Sequence, residues 1–92
     1  MKLTKHLIIS GRVQGVGFRS FILRNAEKHN ITGWVRNTSD GDVETVISGD
    51  RLAVEKMIDI IKKGPPWASV TDIKTVRSSE DEEEYRNFRI RY

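Results

Sequence analysis

The chain is expected to fold as an α+β two-layer sandwich, an antiparallel sheet covered on one face by two helices, in the order βαββαβ. Three observations lead there. Several short runs rich in Val, Ile, Thr and Trp alternate apolar with polar residues, the period of a half-buried strand. Two longer segments repeat apolar residues at helical spacing, and each of these follows a strand-like run. Such an order buries its apolar surfaces most simply when both helices share one sheet face.

Residues 5 to 13 read as the first strand, with Leu7, Ile9 and Val13 on one face and Ile8 adding apolar area to the other. Apolar residues on both faces mark a central strand. Ser20 to Asn30 reads as the first helix, with Phe18, Phe21, Ile22 and Ala26 at helical spacing, and Asn30 suits a left-handed stop. The stretch ITGWVRNTSDGDVETVIS is a hairpin in outline, its turn at Ser39-Asp40-Gly41-Asp42. A second helix is expected over Arg51–Lys63, N-capped by Asp50, with Leu52, Val54, Met57, Ile58 and Ile61 inward and Gly64-Pro65-Pro66 ending it. Residues 68 to 77 read as a strand whose alternation slips near Asp72-Ile73, a candidate bulge. The acidic run from Glu80 to Glu84 reads as a solvated loop, and the chain closes in a strand with Phe88, Ile90 and Tyr92 alternating against Asn87, Arg89 and Arg91. This arrangement is called ferredoxin-like, and it hosts many functions without implying any one of them.

Composition narrows the classes. Ninety-two residues, 37% hydrophobic and 32% charged, suit one ordinary globular domain rather than a disordered chain. There is no cysteine, so no disulfide framework and no thiolate metal site can form. Only three apolar residues follow the first six, too few for a leader or a membrane span, and a cytoplasmic chain is expected. The Asn-x-Ser/Thr matches at Asn30 and Asn37 then carry no meaning for glycosylation. A net charge of +3 favours anionic partners without choosing among them.

The segment GRVQGVGFRS holds the chemistry. It lacks the Gly-Lys-Ser/Thr of a Walker loop, and Gly15-Val16-Gly17 is not followed by the third glycine of a dinucleotide fingerprint. What remains is physical. Glycines let successive N–H groups turn toward one centre, a nest for an anion, and a helix starting behind them adds free N–H groups and a positive dipole end. Arg19 could then grip two phosphate oxygens. A plain strand-to-helix turn with a solvated Arg19 accounts for this loop as well. The hairpin supplies a second residue. Ile31, Gly33, Val35 and Asn37 share one strand face, so if Ile31 and Val35 face the helices, Asn37 lies on the side of the loop, where its amide could hold a water. Read alone, Asn37 could equally cap the Asp-Gly turn.

Together GRVQGVGFR, GWVRNTSDGDVE, GPPWASV and the closing FRIRY resemble the acylphosphatase family, in order and over about residues 5 to 92. The resemblance implies the ferredoxin-like fold and hydrolysis of acyl phosphates to a carboxylate and inorganic phosphate, with no metal and no organic cofactor. It implies that Arg19 binds the phosphoryl group, that Asn37 positions the attacking water, and that the amides of Gln14, Gly15, Val16, Gly17 and Phe18 cradle the phosphate. The expected partners are a small-molecule acyl phosphate and inorganic phosphate, product and competitive inhibitor in one, with a monomeric chain and no membrane or nucleic acid. Two positions depart from the family's usual pattern: His29-Asn30 stands where Leu-Gly is common, and Ser20 replaces a larger residue.

His6 and His29, far apart and without cysteines, do not suggest a metal site. Trp34, Trp67, Phe88 and Tyr92 read as packing residues. Arg89, Arg91 and Lys74 would make the uncovered sheet face basic. The βαββαβ order is shared with RNA-recognition modules, but their aromatic strand signature is absent from this chain. A third reading, a non-catalytic binder of acyl or carbamoyl phosphate, is opposed by the presence of both Arg19 and Asn37.

Overall fold

The computed structural model describes residues 1–81 and 85–92. Its elements are β1 (Lys2–Arg12), α1 (Phe18–Lys28), β2 (Thr32–Asn37), β3 (Val43–Asp50), α2 (Arg51–Lys63), β4 (Ser69–Ser79) and β5 (Phe88–Ile90). The strands form one sheet in the order β4-β1-β3-β2-β5. β1 is central, antiparallel to β3 on one side and β4 on the other, as its two apolar faces predict. β2 continues the antiparallel sheet from β3.

β5 joins β2 in parallel, Gly33 opposite Phe88 and Val35 opposite Ile90, so the sheet is mixed rather than wholly antiparallel. The reason lies in the register. Ser79, the last residue of β4, pairs with Thr4, which pairs with Ser48, which pairs with Thr32 at the start of β2. β4 therefore ends at the level where β2 begins, and β5, next in the chain, runs beside β2 in the same direction. Asp81 follows β4, its carbonyl accepting a hydrogen bond from Thr4 Oγ1 at 2.8 Å. Glu80 and Asp81 are exposed. Glu82, Glu83 and Glu84, the rest of the acidic run, lie outside the described residues.

Both helices cover one face. Leu7, Ile9, Val35, Val43 and Ile47 from the sheet meet Ile22 and Ala26 of α1 and Val54, Met57 and Ile61 of α2 in a single core. Full burial of each large side chain contributes roughly 1.5–3 kcal/mol relative to exposure. α1 lies over β2 and β5, α2 over β1, β3 and β4.

Several local expectations change. α1 starts at Phe18 rather than Ser20, because left-handed Gly17 (φ 76°) turns the chain into the helix two residues early. It ends at Lys28, and Asn30 takes the expected left-handed conformation (φ 57°). α2 keeps its predicted bounds, but Leu52 is 74% exposed. Nine residues separate it from Ile61, about 180° around a helix, so it faces solvent when Ile61 faces the core. Asp50 occupies the N-cap position without a side-chain cap, and the Arg51 N–H donates to the Met1 carbonyl at 2.9 Å instead. β4 slips twice against β1, skipping Thr71 and Val76, the first beside the predicted bulge. Trp67 and Tyr92 are exposed at 78% and 98%, so neither packs as expected, whereas Phe88 is buried. Among the described residues, no helix is long and apolar enough to cross a membrane.

Candidate active site

The loop between β1 and α1 owes its shape to Gly15 and Gly17, at φ 75° and 76°, a conformation that L side chains adopt at a cost. A Cβ at either position would meet nothing within 4 Å, so these glycines serve backbone direction, not crowding. Left-handed residues alternating with others build the concavity in which neighbouring N–H groups converge. The helix begins directly behind it. Its first turn closes with Phe21 N–H to Gly17 O at 3.0 Å, which leaves the N–H groups of Phe18, Arg19 and Ser20 without helical partners. Phe18 anchors this junction, its side chain 1% exposed and its ring edge-on to Phe21 at 5.9 Å.

Asn37 arrives from the sheet. The β2–β3 ladder runs without a shift from Thr32 to Asn37, so the alternation that buries Ile31 and Val35 also turns Asn37 to the helix side. Gly15, Gly17, Phe18, Arg19 and Asn37 thus line one pocket of about 100 Å³. Asn37 Oδ1 is buried and accepts no hydrogen bond from the described residues. A buried acceptor without a partner costs about 1–3 kcal/mol, so the Asn37 amide carries an oxygen that demands a donor. The half-buried Arg19 forms no carboxylate pair among the described residues; its guanidinium lies over the Tyr92 ring, 5.1 Å from the centroid. A guanidinium without a carboxylate partner, a helix N-terminus and no acid on the wall give the pocket a charge that suits an anion.

Two members of the predicted loop do not line this pocket. Val16 packs against the hydrophobic core. Gln14 turns its side chain to the β2–β3 turn, Nε2 donating to the Thr38 and Asp42 carbonyls at 2.8 Å each. Val13 and Ser20 line the pocket and were not singled out from the sequence; Val13 read as core and Ser20 only as a small residue after the arginine. The Tyr92 contact had no sequence signal, since it joins the two ends of the chain.

His6 is elsewhere, on the open sheet face. Its Nε2 lies 2.6 Å from Glu44 Oε2, and Arg36 Nε donates to Glu44 Oε1 at 2.7 Å. Burial would raise the Glu44 carboxyl, but hydrogen bonds from His6 and Arg36, with their charges, bring it below its ordinary value. Among the described residues, no three His, Asp or Glu side chains are grouped to hold a metal.

The acylphosphatase family model matches residues 5–90. The chain belongs to the acylphosphatase family. It is 42% identical over 90 residues to an acylphosphatase of Bacillus licheniformis, covering 98% of this chain and 99% of that one. It is 51% identical over 71 residues to one from Acidiphilium cryptum, covering 77% and 78% of the two chains. The crystal structure of the acylphosphatase from Bacillus subtilis matches this fold with a TM-score of 0.93 at 40% identity, covering 98% and 99%.

Proposed function

We propose that this acylphosphatase-family chain hydrolyses the carboxyl–phosphate bond of acyl phosphates, binding the phosphoryl group at Arg19 and the loop amides while Asn37 holds the attacking water. The observation that carries this reading is the buried, unpartnered Oδ1 of Asn37, a residue that lines one pocket with Arg19 and the loop glycines. It can accept one O–H of a water and leave the water's lone pair aimed at phosphorus. The water oxygen bonds to phosphorus as the phosphorus–acyl oxygen bond breaks. The electron pair leaves with the carboxylate, and the water's second proton passes to a phosphate oxygen, giving dihydrogen phosphate.

Little else is asked of the protein. A carboxylate is a good leaving group, and phosphoryl transfer depends on positioning and on charge stabilisation at the equatorial oxygens. The guanidinium and converging N–H groups supply the second requirement, Asn37 the first. No metal or organic cofactor is needed on this account. A single cysteine-free chain working as a monomer in the cytoplasm fits it.

The test follows loss of benzoyl phosphate absorbance in EDTA. Wild type should hydrolyse it rapidly, and Asn37→Ala should lose about 10²–10³ in kcat, the usual cost of one well-placed transition-state group. Wild-type turnover that survives Asn37→Ala would remove the water from this residue. An inactive, folded wild type would leave an anion-binding module instead.

A further inference from the structure

Gln14 stands in the middle of the loop, yet its side chain leaves the pocket. Both hydrogens of its carboxamide are committed, one to the Thr38 carbonyl and one to the Asp42 carbonyl, at 2.8 Å each. These two residues frame the β2–β3 turn, which is closed by Thr38 N–H to Asp42 O at 2.9 Å and by Thr38 Oγ1 receiving the Asp42 N–H at 3.1 Å. Asn37 is the last residue of β2 in the ladder, opposite Val43. On its strand side it is held by the sheet. On its other side the next residue, Thr38, is held by Gln14. Gln14 in turn directly precedes Gly15, where the anion nest begins.

We infer that Gln14 is a positioning residue: its carboxamide sets the separation between the phosphate-binding loop and Asn37, and so aligns the water with phosphorus. The assignment rests on the hydrolase reading above. It differs from the role expected of Gln14 as one more amide in the cradle, because it assigns the work to the side chain. The geometry has a consequence for kinetics. Arg19 and the loop glycines keep their places without the clip, so phosphate affinity should hold, while a displacement of Asn37 by about 1 Å can cost on the order of 10²-fold in rate.

Gln14→Met keeps the length and removes both donors. Its kcat on benzoyl phosphate should fall about 10–100-fold, with the phosphate inhibition constant changed less than about threefold. In an Asn37→Ala background the same substitution should cost nothing further, since residues acting through one another are not additive. Gln14→Glu provides a second readout. Facing two carbonyls, its carboxyl should titrate above the ordinary range. It should regain activity between about pH 7 and 5 as the acid form supplies one O–H donor, over a range where wild type stays flat. A kcat within twofold of wild type for Gln14→Met, a loss confined to KM, or full additivity with Asn37→Ala would each overturn the assignment.

Wild-type inactivity would sink the hydrolase reading itself. The clip is then still decided by NMR: the Asn37 side-chain amide resonances should move or broaden in Gln14→Met while the backbone amide resonances of α2 stay put. Unmoved Asn37 resonances would refute it.

Discussion

At the scale of single residues, the molecule separates two polar constellations that a sequence shows only as scattered letters. Asn37 and Arg19 share a pocket on the helix side of the sheet; His6, Glu44 and Arg36 share the open side. Their pH behaviour should differ accordingly. No titratable carboxylate, His or Cys is asked to act as a base in the pocket, so kcat should vary little between about pH 5 and 8. Glu44, with its pKa lowered in the folded state, stabilises the fold above its unfolded value and loses that contribution as pH falls through the folded one. Urea unfolding of wild type should therefore weaken below about pH 4.5, and Glu44→Gln should flatten part of that fall. Parallel pH curves for the two proteins would contradict this account of the cluster.

At the scale of elements, helix α2 shows how far periodicity reaches. Arg51–Lys63 was legible from end to end, because Gly64 and two prolines stop it and four apolar residues recur at helical spacing. Leu52 was misplaced because a leucine in the first turn resembles a core residue until the stripe's direction is known. The contrast is measurable. Ile61→Ala, at a fully buried position, should cost about 2–5 kcal/mol. Leu52→Lys should stay within about 0.5 kcal/mol, as exposed substitutions do. Equal losses in chemical denaturation would show that Leu52 is covered in solution. The boundary of α1 teaches the same lesson in reverse: the helix begins inside the glycine loop, so Arg19 belongs to the first turn rather than preceding it.

At the scale of the whole molecule, the proposed anion site should couple ligand to stability. Inorganic phosphate carries the group common to substrate and product, and it should inhibit competitively. At a hundred times its dissociation constant it should stabilise the fold by about 2.7 kcal/mol, raising the melting midpoint of a domain this size by roughly 10–20 °C. Arg19→Ala should lose most of that shift at the same concentration. A shift that Arg19→Ala retains in full would place phosphate elsewhere. The open sheet face offers less to a nucleic acid than its arginines suggest, since the Arg91 guanidinium already lies over the Trp34 ring at 4.6 Å. The Thr4–Ser48 pair is buried there.

The two-layer architecture, the central place of β1, both helices, the glycine loop and the strand face that carries Asn37 were legible in the residues alone, because each follows from short-range periodicity or from backbone rules at particular residues. Tertiary structure decided the rest. The parallel pairing of β5 depends on where β4 ends relative to β2, a matter of register across three intervening strands. The Gln14 clip depends on two backbone carbonyls, which carry no residue identity and so leave no mark in a sequence. The place of Tyr92 beneath Arg19 depends on the closing segment returning to the first loop. Periodicity orients a residue within its own element; only packing fixes the distance between elements, and the proposed chemistry depends on that distance.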